Sequence, residues 1–311
     1  MAYRKKKTSR KRVSKKKKTP LVSVKRLLSF VLLSLILGIS ICAVSYVIFF
    51  RTAFAQEIPK KQEPEIVFEE PDPPVHDEPA GEPGGTEKQP IEKELPKVAI
   101  IIDDLGYHKE LGEKFLNFPY ELTYSFLPFA PYTARQEKYA FISGKTILLH
   151  LPLEPKGKQW DPGPGTLFLS DPPELQKEKF EQDLAHVPHA VGVNNHMGSL
   201  FTGNTKAMMF LLGQFADKGL FFVDSVTASE SVGYSVAQKN GVRSARRDVF
   251  LDNILDKKDI CNRLKELVET AKKRGWAIGI AHPHRVSVEA VLTCGKLYLN
   301  EIQYVSILDV L

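Results

Sequence analysis

The sequence predicts an α/β fold, a parallel sheet with crossover helices, confined to residues 98–311. Two observations predict it. Short apolar runs alternate with amphipathic helical stretches from residue 98 to the C-terminus, the pattern of strands joined by crossover helices. That stretch is also long enough for a single α/β barrel or a doubly wound domain.

The strand candidates, in order, are Val98–Ile102, Leu122–Leu127, Thr146–Leu149, Ala190–Val193, Leu220–Val223, Val249–Leu251, Ala277–Ile280 and Tyr304–Leu308. The clearest helices between them are Glu174–Ala185, Thr205–Lys218 and Lys257–Arg274. The last has Asp256 placed as an N-cap and Gly275 as a C-cap. Cys261 and Cys294 lie in this region, and a spacing of 33 residues does not decide whether they pair. Neither an internal repeat nor a phosphate-binding glycine loop is present.

The 97 residues before this region have a different character. The chain carries 43 Lys and Arg against 37 Asp and Glu, a net of +6, but residues 1–51 hold 14 basic and no acidic side chains. The basic total therefore describes a tail, residues 1–26, and a basic nucleic-acid-binding domain is excluded. Residues 27–50 are uncharged and apolar apart from scattered serines. At about 1.5 Å per residue such a run spans roughly 36 Å, and it predicts a membrane helix. The expectation is a single-pass anchor in the cytoplasmic membrane, with the N-terminus cytoplasmic and the domain periplasmic. The basic tail would meet anionic lipid. Ala53-Phe54-Ala55 leaves cleavage after Ala55 as the alternative. Residues 51–97 follow as a Pro- and Glu-rich linker expected to be disordered; 57–97 holds nine prolines, twelve acidic and five basic residues.

Polar groups gather where the strand candidates end, which is where parallel α/β folds place their sites. The ends read Asp103-Asp104-Leu105-Gly106, then His150 through Glu154, then Asn194-Asn195-His196, then Asp224, then Arg247-Asp248 to Asp252, then His282-Pro283-His284. Adjacent buried carboxylates repel unless a cation holds one of them. Imidazole with carboxylate suits zinc or another first-row divalent metal. Such a metal would acidify water and polarise a carbonyl, the equipment for hydrolysing an amide or ester, with a histidine opposite to protonate the leaving group.

IIDDLG, HLPLEP, GVNNHMGSLFT, FFVDSVTASESVG, RDVFLDN and GIAHPH, in this order, resemble the divergent polysaccharide deacetylase family, a branch of the NodB-like carbohydrate deacetylases. The resemblance covers essentially all of 98–311. It implies an irregular (β/α) barrel of about seven strands, a metal-dependent deacetylase, and a glycan or peptidoglycan substrate. By the same resemblance Asp103 is the base, Asp104 and His150 are metal ligands, and His282 is the general acid. The typical His-x3-His becomes His150-x3-Glu154 here, so His196 is the natural third ligand and Glu154 the weaker one. The typical Arg-x-Pro-Tyr motif is absent, with Asn194 to Met197 in its place.

Asn195 and His284 are candidates to stand behind the ligands. Asp224, Arg247 and Asp248 either orient the site or form internal ion pairs. His108 reads as a solvated helix start, and His186 and His189 as surface residues. Tyr107, Trp160 and Phe201 either stack on sugar rings or are ordinary packing beside loops. The function expected is a membrane-anchored, metal-dependent carbohydrate deacetylase of the cell envelope, with no nucleic-acid partner. A glycan-binding module without turnover is the alternative, and hydrolysis of another amide or ester a third reading.

Overall fold

The computed structural model describes residues 94–311 together with Ser29, Val31–Gly38 and Ser40. In chain order the elements are β1 (Lys97–Leu105), α1 (Lys109–Leu116), β2 (Thr123–Phe126), α2 (Thr133–Ile142), β3 (Thr146–Leu153), α3 (Pro173–His186), β4 (Gly192–Met197) and α4 (Thr205–Asp217). They continue with β5 (Phe221–Asp224), α5 (Gly233–Lys239), β6 (Ser244–Arg246), β7 (Val249–Phe250), α6 (Lys257–Arg274), β8 (Trp276–Ala281), α7 (Arg285–Gly295) and β9 (Gln303–Val305).

Every named strand pairing is parallel. Eight strands run in the order β6-β5-β4-β3-β2-β1-β8-β7 as a curled half-barrel, and β9 is a ninth strand beside β1. β9 takes residues 97–99 of β1, and β2 takes Ile101 to Leu105. The sheet ends at β6 and β7, which the chain joins through Arg247 and Asp248 rather than through a ladder. The architecture is thus the expected α/β one, with more strands than the expected seven. The segment RDVFLDN accounts for part of the difference: only Val249 and Phe250 are strand, and the short β6 precedes it.

Side chains of a strand alternate between faces, and the two faces carry separate cores. Val98, Ile100, Ile102, Leu149, Val193 and Phe222 point outward, against helix residues such as Phe180, Phe215, Leu264 and Leu267. Ala99, Ile101, Leu148, Phe221, Val223, Ile278 and Ile280 fill the concave interior. Each fully buried large apolar side chain contributes roughly 1.5–3 kcal/mol. α6 is capped as its flanking residues predict. The Asp256 carboxylate accepts from the N–H groups of Lys258 at 2.8 Å and Asp259 at 3.2 Å, and Gly275 takes φ +93°. A disulfide between Cys261 and Cys294 joins α6 to α7, deciding what their spacing left open.

The membrane expectation is corrected. Among the described residues no helix is long and apolar enough to cross a membrane. The described part of 27–50 is helical and exposed, but Val31–Gly38 covers only about 12 Å of a hydrocarbon core of about 30 Å. The rest of that stretch, the tail 1–26 and the signal-peptidase-like Ala53-Phe54-Ala55 lie outside the described residues, as does the linker except for Glu94 to Lys97. The inferred cytoplasmic-membrane localisation, with a periplasmic domain and a lipid-bound tail, loses its basis with the helix.

Candidate metal centre

The interior changes from apolar to polar at the carboxyl ends of the strands, and period-two alternation explains which residues arrive there. Asp103 follows Ala99 and Ile101 on the inward face of β1, and His150 follows Leu148 on β3. Ser225 follows Phe221 and Val223, and His282 follows Ile278 and Ile280. Asp104 would point outward in a regular strand. The register of β1 against β2 shifts between Ile102 and Leu105, and Asp104 adopts φ 54°. This bulge turns Asp104 toward the site while Leu105 returns to the outer core. Gly106 then takes φ +109° so close to Thr133 that a Cβ would overlap its hydroxyl. The sequence Asp-Asp-Leu-Gly is thus the local code for presenting two consecutive carboxylates on one side.

Asp104, His150 and His196 bring three ligand atoms together. Asp104 Oδ1 lies 3.1 Å from His150 Nε2 and 2.9 Å from His196 Nδ1, and the two nitrogens are 3.2 Å apart. A tetrahedral zinc site with bonds of about 2.0–2.1 Å sets its ligand atoms about 3.3 Å apart. Asp104 Oδ1 is buried and accepts no hydrogen bond of good geometry, although both rings stand against it. A carboxylate oxygen and two ring nitrogens converging in this way fit a divalent cation. Burial works against ionising Asp104, and His196 and His150 outweigh it, holding its carboxyl well below the usual range. Glu154 is not in this set; its Oε2 accepts from the N–H of Leu169 at 2.6 Å.

Asp103 sits beside the triangle, with Oδ2 3.7 Å from His150 Nε2. Burial raises its pKa, against the lowering influence of His150 and His282. The Asn194 amide donates to both Asp103 oxygens, at 2.8 and 3.0 Å.

His282 is held by Asp252, which the strand-end pattern includes without assigning it a role. The fully buried Asp252 carboxylate accepts from His282 Nδ1 at 2.9 Å, from the His282 backbone N–H at 2.7 Å and from Ser287 Oγ at 2.6 Å. Burial alone would lower the His282 pKa, but Asp252, with Asp104 and Asp103, pushes it up to about 9. The signal lay in register. Phe250 pairs with Ile280, so two residues further on Asp252 meets His282.

The remaining candidates do other work. Asp248 precedes β7 and so lies at the opposite end of the strand, paired with Arg274 and accepting from Ile278 N–H. Asp224 accepts from the N–H groups of Val226 and Tyr234 and from Ser231 Oγ, bracing the loop after β5. Asn195 ties that loop to β4 through Ser225 N–H and the Met197 carbonyl. Arg247 donates to the carbonyls of Ser225 and Val226 and lies over the Phe250 ring, which stacks on His282. His284 is the N-cap residue of α7, its pKa lowered by burial, with its ring 6.4 Å from that of His282. His108 is the N-cap residue of α1. His186 ends α3, exposed and packed against Phe129, while His189 is half-buried on Glu137 and Phe141. Phe201 is fully buried and is core, not a sugar platform.

A family model described as divergent polysaccharide deacetylase matches residues 100–311. An uncharacterised Haemophilus influenzae protein is 36% identical over 66% of this chain and 72% of its own length. The uncharacterised Escherichia coli protein YibQ is 34% identical over 63% of this chain and 61% of its own. Among solved structures, an uncharacterised Agrobacterium tumefaciens protein is similar at TM-score 0.67 and 26% identity, covering 72% of this chain and 92% of that one. On the family match and the relatives together, this chain belongs to the divergent polysaccharide deacetylase family.

Proposed function

We propose that the chain is a zinc-dependent deacetylase that hydrolyses N-acetyl groups of a glycan, with envelope polysaccharide or peptidoglycan as its substrate class. One observation carries this reading. The Asp104–His150–His196 triangle, the buried carboxylate Asp103 and the Asp252-backed His282 share one rim of the sheet. Family membership supports it.

Asp104, His150 and His196 would hold the cation, which when bound would supply an electrophile for the carbonyl and acidify a water. Asp103 takes the proton of the attacking water on its carboxylate. A carboxyl whose pKa is raised by burial is a stronger base than a solvated one. His282 gives the proton on Nε2 to the departing amine nitrogen, because Nδ1 is committed to Asp252. Positioned acids and bases each contribute about 10²–10⁴-fold. Tyr107 stays a neutral phenol, its pKa raised by burial and then by Asp104 and Asp161, and offers a ring to the sugar at the rim.

The test is acetate release by the full chain from N-acetylglucosamine oligomers and from peptidoglycan, with zinc and with a chelator. The reading expects zinc-dependent acetate, lost in Asp103→Ala while glycan binding persists. Glycan binding without acetate from wild-type protein would instead identify a binding module.

A further inference from the structure

Asn194 is fully buried between the cation ligands and the base, and its amide uses every hydrogen-bonding valence it has. Nδ2 donates to Asp103 Oδ1 and Oδ2 at 2.8 and 3.0 Å and to Ser225 Oγ at 3.2 Å. Oδ1 accepts from Ser125 Oγ and faces His150 Nδ1 at 3.1 Å. A carboxylate only accepts, so the NH₂ end must face Asp103 and the oxygen must face His150. An amide oxygen only accepts too, so His150 Nδ1 carries the proton and Nε2 presents its lone pair. That Nε2 is the atom 3.1 Å from Asp104 Oδ1 and 3.2 Å from His196 Nδ1.

We propose that Asn194 is the positioning residue of this site, one amide that sets the tautomer of the ligand His150 and orients the base Asp103. The second half rests on the deacetylase reading above; the first half does not. The residue type follows from the two tasks. Arg or Lys could donate to Asp103 but could not accept from His150. Asp could accept from His150 but would face Asp103 with like charge. Among side chains of this length only the amide does both. Partners behind a ligating histidine govern metal affinity by about 10–100-fold.

Three measurements on the full chain test this. In zinc-loaded wild-type protein, ¹⁵N–¹H correlation spectra should place the His150 proton on Nδ1; a proton on Nε2 overturns the proposal without any variant. Zinc affinity should fall about 10–100-fold in Asn194→Ala but stay within about 3-fold of wild type in Asn194→Asp, which keeps the acceptor. Asn194→Asp should nevertheless lose at least about 100-fold in kcat, because both donors to Asp103 are gone. Equal loss of zinc affinity in the two variants, or none in either, overturns the proposal. Wild-type protein that shows the Nδ1 proton and the affinity pattern yet releases no acetate overturns the deacetylase reading and leaves the tautomer role supported.

Discussion

Replacing Asp252 by Asn keeps the shape of the side chain and removes its charge from His282. The carboxylate receives three hydrogen bonds, from His282 Nδ1, His282 N–H and Ser287 Oγ. After burial, which opposes it, Asp252 is the foremost influence on a pKa that stands at about 9 against an ordinary 6.5. At about 1.4 kcal/mol per unit, that difference is on the order of 3 kcal/mol of preference for the protonated ring. His282 acts as an acid, so activity is present below its pKa and lost as pH rises through it. In wild-type protein the alkaline limb of kcat/KM should lie near 9. In Asp252→Asn it should move down to about 6.5 or below, so that activity at pH 8 falls at least about 30-fold and recovers partly at pH 5.5. The amide offers one acceptor oxygen where the carboxylate offers two, so one of the two His282 donors loses its partner, which should cost about 1–3 kcal/mol of stability. The assay is acetate release from a soluble N-acetylglucosamine oligomer across pH 5–10. A variant whose profile keeps its wild-type shape at uniformly lower activity would refute the coupling.

Three further outcomes are expected. His196→Ala should weaken zinc binding more than about 100-fold, since it removes a ligand rather than a partner behind one, whereas Glu154→Gln should change it by less than about 3-fold; calorimetric titration decides. Asp183 is buried, its oxygens without a hydrogen-bond partner among the described residues, and burial, opposed by Lys179, pushes its pKa up to about 8. Between pH 4 and 8 the folded chain holds a proton that the unfolded chain has shed, so this group lowers stability as pH rises, by at most about 1.4 kcal/mol per unit. Wild-type protein should therefore lose stability relative to Asp183→Asn between pH 5 and pH 7, and an unchanged difference in chemical denaturation would count against it. Opening the Cys261–Cys294 bridge, which closes 33 residues, should cost about 4 kcal/mol. A Cys261→Ser/Cys294→Ser variant with an unaltered Tm would contradict this.

Much of the fold was legible because its strands are apolar runs long enough to stand out, and each was found near its place. β6 was not, because Ser244-Ala245-Arg246 is three residues with polar ends and becomes a strand only by lying beside β5. The site was legible in composition but not in geometry. Paired Asp103 and Asp104 mark a candidate cation site, yet only the bulge at Asp104 explains how neighbours on a strand face the same way. Asp252 stands among the polar residues at a strand end, but its role is not legible there, because its partner His282 is set by the register of β7 on β8. Of the two readings of Phe201, packing is the one the structure bears out. The Glu154 carbonyl accepts from the N–H groups of both Leu200 and Phe201, folding that loop back so the ring enters the core. The uncharged run at 27–50 has the length of a membrane span, but hydropathy does not establish that a helix extends over it.

On the proposed function, hydrolysis of an N-acetyl group by Asp103 and His282 depends on a cation held by Asp104, His150 and His196. Its most direct test is to strip the full chain of metal, add zinc by fractions of an equivalent, and follow acetate released from N-acetylated glycan. Activity should be absent at first, rise linearly and level off at one zinc per chain, and His196→Ala should not regain it. Zinc uptake at one equivalent with no acetate from any N-acetylated glycan would contradict the proposed function.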